Sequence, residues 1–275
     1  MVSILQSLVS AEDTLQEKRL SLSQRQEKLL HLLRSRHFID INHLTAELNV
    51  SLATIRRDLA ELEGQGQIMR THGGAVALNQ VSQDYEASVR ETMNLEEKKQ
   101  IARAAARLII DGDTVMIDSG TTSKQVAILL SENPSLTFVT TGIDVLATLI
   151  AQKDVKVHAI GGEYIPINRS VGGAMAMEMV RQFNVDKVIL SISSIDLKRG
   201  QICTLHPQIG CVQQAMIESA HSVIVVADYS KFSRAALSVI TSLKHVDHIV
   251  TDKKAYPKIS GLPDALKRKF IIAED

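Results

Sequence analysis

Two cysteines, Cys203 and Cys211, are all that the 275 residues contain. They are too few and too oddly spaced for a disulfide framework or a Cys-x-x-Cys metal site, so reduced thiols are expected. No apolar run approaches the roughly 20 residues that cross a bilayer, and no membrane partner is expected. The first residues carry Glu12, Asp13 and Glu17 where a secretory signal is basic and then apolar, so the expected compartment is the cytoplasm. Neither His-Glu-x-x-His nor a Walker A pattern occurs, so metalloenzyme and nucleotide-hydrolase readings lack support and no metal or cofactor is expected. Lys and Arg number 31, as do Asp and Glu, and this zero net charge excludes a uniformly basic nucleic-acid binder. Any DNA contact must come from a local patch.

What remains is an ordinary globular composition, with 45% hydrophobic and 23% charged residues, long enough for two unequal domains. Residues 1–20 read as an N-terminal extension. From residue 21 the pattern becomes organised. Leu29, Leu30, Leu32 and Leu33 make the stripe of a first helix over 23–36, Ile41, Leu44 and Leu48 make a second, and Ser51 caps a third. In that third helix Leu52, Ile55, Leu59 and Leu62 share one face, while Thr54, Arg57 and Glu61 share the opposite one. Gly64 and Gly66 end it, and 67–76 alternates around Gly73-Gly74 as a two-stranded wing. The unit spans 21–78, and a Gln-, Ser- and Asn-rich linker follows over 79–94.

The run from Leu44 to Glu63, with Ile55-Arg56-Arg57-Asp58-Leu59 at its centre and Arg70-Thr71-His72-Gly73-Gly74-Ala75 after it, resembles the DeoR/GlpR family of regulators. Its two short helices suit a helix-turn-helix that presents the second to the major groove. Arg57 points away from the core stripe, and its planar fork suits guanine N7 and O6, so base readout is assigned to it. Arg56 is assigned phosphate. Ser51 and Thr54 stand at the helix start, where hydroxyls and N–H groups meet a phosphate or base edge, and Arg70 and His72 would track the neighbouring backbone. The alternative for Arg56 and Arg57 is a solvated face paired with Asp58 and Glu61.

Residues 95–275 alternate β-rich runs (114–118, 137–140, 155–160, 187–192, 223–227) with helical segments at 96–110, 123–130, 143–151 and 211–220. This implies βαβ crossovers and a largely parallel sheet, an α/β Rossmann-like domain that binds ligands beyond its strand carboxyl ends. Asp118-Ser119-Gly120-Thr121-Thr122 ends one strand and opens a helix, a fit for phosphate, although it also suits a plain capped turn. Thr141, Gly161, Gly162, Ser170 and Gly172 stand in further loops at strand ends, and Asp118 and Asp196 are candidate acceptors for sugar hydroxyls or for loop N–H groups. Gly161-Gly162 is not a dinucleotide fingerprint. These loops follow the order of DeoR-type effector domains, which are similar in fold to ribose-5-phosphate isomerase and CoA transferases. The resemblance implies that Lys231 supplies an ammonium to a sugar phosphate, with Gly120, Thr121 and Thr122 as donors. The sequence departs from the family's usual Thr-Asn at Thr141-Gly142, its Phe-x-Gly near 189–191 and its Glu-Ala-x-x-Lys at 209–213, so a changed specificity is expected.

The expected function is a repressor of a carbohydrate-use operon that binds operator double-stranded DNA and is relieved by a phosphorylated sugar or related effector. A single small helix reads few bases, so a homo-oligomer, dimer or tetramer, is expected. The alternatives are a regulator answering a non-sugar or protein signal, and a sugar-phosphate isomerase-like enzyme. The latter would need a carboxylate base, and the expectation is that the chain is not an enzyme.

Overall fold

The computed structural model describes residues 22–36, 39–65, 67–71, 74–77, 87–232 and 235–274. The expected extension at 1–20, His72 and the first part of the expected linker, 79–86, lie outside the described residues. Contacts divide the chain into two compact units, Met1–Leu78 and Asn79–Asp275.

In the first unit α1 (Leu22–Arg36), β1 (Ile39–Asp40), α2 (Ile41–Leu48) and α3 (Leu52–Gly64) precede a hairpin of β2 (Ile68–Thr71) and β3 (Gly74–Ala77), in a sheet ordered β1-β3-β2. Asp40 caps α2 by accepting from Asn42 N at 2.8 Å, and Asn49, at φ 50°, ends that helix in the left-handed region that Asn tolerates. Ser51 Oγ then caps α3 by accepting from Thr54 N at 3.2 Å. These residues set the tight turn between the two helices. Leu29, Leu33, Leu44, Leu48, Ile55 and Leu59 form the core with Leu62 and Ile68. Each such burial contributes about 1.5–3 kcal/mol. Leu52, placed by periodicity on the same face, is 37% exposed because the first residue of α3 lies at the rim of that core.

Asp58, on the inner side of α3, is fully buried and takes both of its bonds from Arg25 of α1: Nε to Oδ2 at 2.5 Å and Nη2 to Oδ1 at 2.9 Å. The bidentate fork fixes α3 against α1 more tightly than apolar contact alone would. Removing one partner leaves a buried charge unpaired, so Arg25→Ala is expected to destabilise this unit by about 3–5 kcal/mol. Hydrogen exchange over residues 22–71 measures it, and parental protection in the variant would show that the pair contributes nothing.

In the second unit α4 (Ala87–Thr92), α5 (Leu95–Ala106), β4 (Thr114–Ile117), α6 (Thr121–Leu130), β5 (Thr137–Thr140), α7 (Ile143–Ile150) and β6 (Lys156–Ala159) come first. The hairpin β7 (Glu163–Ile165) and β8 (Ser170–Gly172), α8 (Gly173–Val180), β9 (Val185–Ser191), β10 (Ser194–Asp196) and β11 (Gln201–Thr204) follow. The chain then runs through α9 (Pro207–Glu218), β12 (Ala220–Val226), β13 (Ser238–Ser242), β14 (His248–Thr251) and β15 (Phe270–Ile272). Residues 87–94, read from sequence as linker, thus hold a short helix with Ala87 buried.

Seven strands form one parallel sheet, ordered β15-β14-β12-β9-β4-β5-β6. Its central strands carry unbroken apolar runs, Val115–Ile117, Val188–Leu190 and Val223–Val226, because helices cover both of their faces. Val115, Ile117, Ile189 and Ile224 face α5 and α6, whereas Met116, Val188, Leu190 and Val225 face α8 and α9. The chain builds outward from β4 through β5 to β6, then returns to β9 on the other side of β4. The strand order thus reverses between β4 and β9, and the carboxyl ends at such a switch are where open α/β sheets bind ligands. An antiparallel sheet ordered β10-β11-β13 and the β7-β8 hairpin were not expected from sequence. Their strands are three to five residues long and mix polar with apolar side chains, which leaves little periodic signal. Both cysteines are free, Cys203 buried in β11 and Cys211 exposed on α9.

Candidate functional site

On the first unit, α3 presents Arg56 and Arg57 to solvent. The carboxylates expected to neutralise them are engaged elsewhere: Asp58 by Arg25, and Glu61 Oε2 by Gln26 Nε2 at 3.0 Å. Neither arginine has an ion-pair partner among the described residues, so the paired solvated face is not what forms. Ser51 Oγ is occupied in capping and in a 2.9 Å bond with Thr54 Oγ1, so both hydroxyls sit at the N-terminus of α3 as one bonded pair. Arg70 is exposed on β2, its N–H donating to Glu63 Oε1 at 3.0 Å and its Nη1 3.9 Å from Glu63 Oε2. That carboxylate holds the wing to the end of α3.

On the second unit the site grows from the carboxyl end of β4. Asp118 N donates to Ile189 O of β9 at 2.9 Å, which carries the pairing of the two strands one residue past β4. The Asp118 side chain is buried. Its Oδ1 accepts from Ser119 N at 2.7 Å and its Oδ2 from Gln213 Nε2 of α9 at 2.6 Å. Burial with no cation bonded to it pushes the carboxyl up to about 7, against the bonds from Gln213 and Ser119 that hold it down. Gly120 stands at φ +127°, and a Cβ there would come 2.7 Å from Ser191 Cβ, so only glycine lets the loop pass this close to β9. Ser191 Oγ receives Ser123 N at 3.2 Å and pairs with Ser123 Oγ at 2.8 Å. Gly120 gives α6 no side-chain cap, so the N–H groups of Thr121 and Thr122 open the helix uncapped by it, a geometry suited to an anion.

Neighbouring strand ends adjoin this loop. Thr140 Oγ1 of β5 donates to Ile117 O at 2.7 Å, and Gly142 packs so tightly that a Cβ on it would lie 2.9 Å from Ser119 Cα. Thr141 is buried, its carbonyl taking Val171 N at 2.9 Å, and Ser170 bridges Gly142. Asp118, Gly120, Thr121, Thr122, Thr141 and Ser170 thus come together. Gly161 and Gly162 follow edge strand β6, two strands from β4, or about 10 Å at ordinary strand spacing. Gly162 meets α8, where a Cβ would lie 2.8 Å from that of Ala176, and Gly172 lies against Ile165. Both glycines therefore serve close packing of the hairpin. Asp196 accepts from Lys198 N and Arg199 N at 3.0 and 3.1 Å, the loop-donor alternative of its two sequence readings.

Lys231 lies on the other flank, in the turn after β12, two strands from β4. Its ammonium has no hydrogen-bond or ion-pair partner among the described residues. Close by, Lys98 is buried on α5 and donates to Met93 O at 2.5 Å and to Arg90 O. Burial pulls its ammonium down to about 8; Asp228 opposes that shift and Lys231 adds to it. Sequence reasoning missed Lys98, Ser191 and Gln213. Gln213 carried a signal, as a departure from the family pattern, but its helix was read as starting at Cys211. Pro207 and Gly210 carry loop signals at that start, whereas Pro fits the first turn of a helix and Gly210 packs closely, a Cβ there coming 3.0 Å from Thr204 Cγ2. A cavity of about 350 Å³ beside α4 is lined by Ala87, Ser88, Pro166, Ile167 and Arg169, the last of which immediately precedes Ser170.

Residues 25–81 match the DeoR-like helix-turn-helix domain, and residues 93–253 match the DeoR C-terminal sensor domain. The transcriptional repressor AccR of Agrobacterium fabrum is 44% identical over 253 residues, covering 92% of this chain and 98% of that protein. The glycerol-3-phosphate regulon repressor of Escherichia coli K12 is 35% identical over 238 residues, covering 86% and 93%. Among solved structures, ribose-5-phosphate isomerase A of Methanocaldococcus jannaschii aligns with a TM-score of 0.39 and 14% identity over 51% of this chain and 55% of that one. No helix among the described residues is long and apolar enough to cross a membrane.

Asp118 gives a pH test. Its folded value near 7 stands above the ordinary 3.8, so the stability it lends is full below about pH 4 and is lost as pH rises through 7. Relative to the parent, Asp118→Asn should gain in Tm between pH 5 and pH 8 and level off above that. A difference that stays flat with pH would mean the carboxyl titrates normally.

Proposed function

The chain belongs to the DeoR family of transcriptional regulators, and from that premise we propose a repressor of a carbohydrate-use operon, released from operator DNA by a sugar phosphate or related phosphorylated metabolite. The observation that carries the DNA half is the pair Arg56 and Arg57, exposed on α3 with the nearby carboxylates already bonded to Arg25 and Gln26. Arg57 reads a base and Arg56 holds phosphate, with Ser51, Thr54 and Arg70 on the flanking backbone and His72 assigned with them. Two copies bind paired half-sites.

The effector half is supported by the Thr121 and Thr122 N–H groups, which Gly120 leaves uncapped beside Asp118, and by the Lys231 ammonium, which has no partner among the described residues. A phosphate suits Thr121, Thr122 and Lys231, and the regulon of the Escherichia coli relative is named for glycerol 3-phosphate, a phosphorylated compound. Turnover is not part of this reading, because Asp118, the carboxylate best tuned for a base, is covered by Gln213 and Ser119.

A route for the signal leads through α4, the helix that follows the segment leaving the DNA-binding unit. Asn94 Nδ2 donates to Asp228 Oδ1 at 3.0 Å, Glu91 pairs with Lys124 of α6 at 2.8 Å, and Lys98 grips the carbonyls of Arg90 and Met93. A ligand that draws on Lys231 or the start of α6 alters the groups holding α4, which is the differential contact that coupling between two sites requires.

Fluorescence anisotropy on the chain's own upstream DNA tests these roles. Arg57→Ala should lose about 1–3 kcal/mol on operator and lose selectivity, while Arg56→Ala should weaken operator and random DNA alike and reduce the salt slope by about one phosphate. Equal losses from both variants would refute the division. Glycerol 3-phosphate and hexose phosphates should include one compound that releases the DNA where its unphosphorylated parent does not. Lys231→Ala should bind DNA and no longer respond, and a variant that responds fully removes Lys231 from the site. Asn94→Ala should bind that compound while its DNA affinity responds less, and an undiminished response would close the route through α4.

A further inference from the structure

Gln213 spends both amide hydrogens inside the protein, on Asp118 Oδ2 at 2.6 Å and on the Ser191 carbonyl at 2.8 Å. Its Oε1 is buried and has no partner among the described residues. Turning the amide over would set Oε1 against the Ser191 carbonyl, acceptor against acceptor, so the orientation is fixed by its neighbours. A buried acceptor left without a donor is costly and native proteins rarely keep one without a use. Ser170 Oγ is a second such atom, on a residue that is 1% exposed. Both orphans flank the same loop: Gln213 through Asp118, and Ser170 through Gly142, which packs on Ser119.

The charges around them are unevenly distributed. Gln213 is bonded to a carboxylate and a carbonyl, with the hydroxyls of Ser123 and Ser191 adjacent and no cation. The cations Lys98 and Lys231 lie toward β12, whereas Arg169, next to Ser170, is already paired with Asp144 at 2.8 Å. A phosphate therefore belongs at the β12 flank and the start of α6, and what extends toward Gln213 must donate hydrogen bonds and carry no negative charge of its own.

We propose that Gln213 sets the effector specificity of this chain, its Oε1 and the Ser170 hydroxyl receiving hydroxyl groups from the uncharged end of a singly phosphorylated polyhydroxy ligand and excluding a second anion there. This deepens the sugar-phosphate reading and rests on it.

The test is calorimetric titration of the full chain with inorganic phosphate, fructose 6-phosphate and fructose 1,6-bisphosphate, for the parent, Gln213→Met, Gln213→Lys and Ser170→Ala. The parent should bind the monophosphate more tightly than the bisphosphate. Gln213→Met should weaken fructose 6-phosphate about ten-fold and leave inorganic phosphate unchanged, as loss of a hydroxyl contact requires. Gln213→Lys should reverse the preference between the two sugars. If the Gln213 variants do not fold, Ser170→Ala decides, since it removes an orphan hydroxyl and should cost fructose 6-phosphate at least about three-fold with inorganic phosphate unchanged. Binding of the sugars with unaltered ratios in every folded variant overturns the proposal and leaves the phosphate sensor standing. Failure of all three probes to bind the parent overturns the proposal, and the sugar-phosphate reading falls with it when glycerol 3-phosphate and the other hexose phosphates also fail to release the DNA.

Discussion

A parallel sheet brings all its strand ends to one edge, and this chain places a buried carboxylate at the point on that edge where its strand order reverses. Asp118 holds β4 to β9 through its backbone, orders the 118–120 loop through Ser119, and takes Gln213 from α9. Gly120 can lie on Ser191 only because it lacks a side chain, and Gly142 can lie on Ser119 for the same reason. At this switch point backbones approach one another closely, and the groups gathered there are backbone N–H groups, hydroxyls and one buried carboxylate of raised affinity for protons.

The two buried aspartates show how differently the units use the same side chain. Asp58 is bonded twice by Arg25 and spends its charge on fixing α3, so that Arg56 and Arg57 stay exposed. Asp118 is buried with no cation bonded to it, and that burial makes its ionisation unfavourable although the amide and backbone donors oppose the shift. The first arrangement is closed, with every acceptor satisfied from within. The second leaves Gln213 Oε1 and Ser170 Oγ without donors, the condition of a site completed from outside.

Much of this was legible in the chain itself. The stripes of α1 to α3, the cap at Ser51 and the glycine-marked wing follow from period and turn chemistry, because a small helical unit encodes its contacts locally. The five principal β-runs were legible as apolar stretches, and with them the parallel α/β class. The short antiparallel strands were not, since strands of three to five residues carry little period, and neither was the start of α9, where Pro207 and Gly210 mimic a loop.

The sequence alone determined the two folds, the family, and the exposed arginines of α3 together with the phosphate-suited loop at 118–122, since each is encoded within a few consecutive residues. Only the tertiary structure decided which side chains meet: Arg25 with Asp58 across 33 positions, and Gln213 with Asp118 across 95. It also set Gly161 and Gly162 two strands from β4 and exposed the missing donors of Gln213 and Ser170. Hydrogen bonds and burial depend on distances in space, and no local pattern of residues records them.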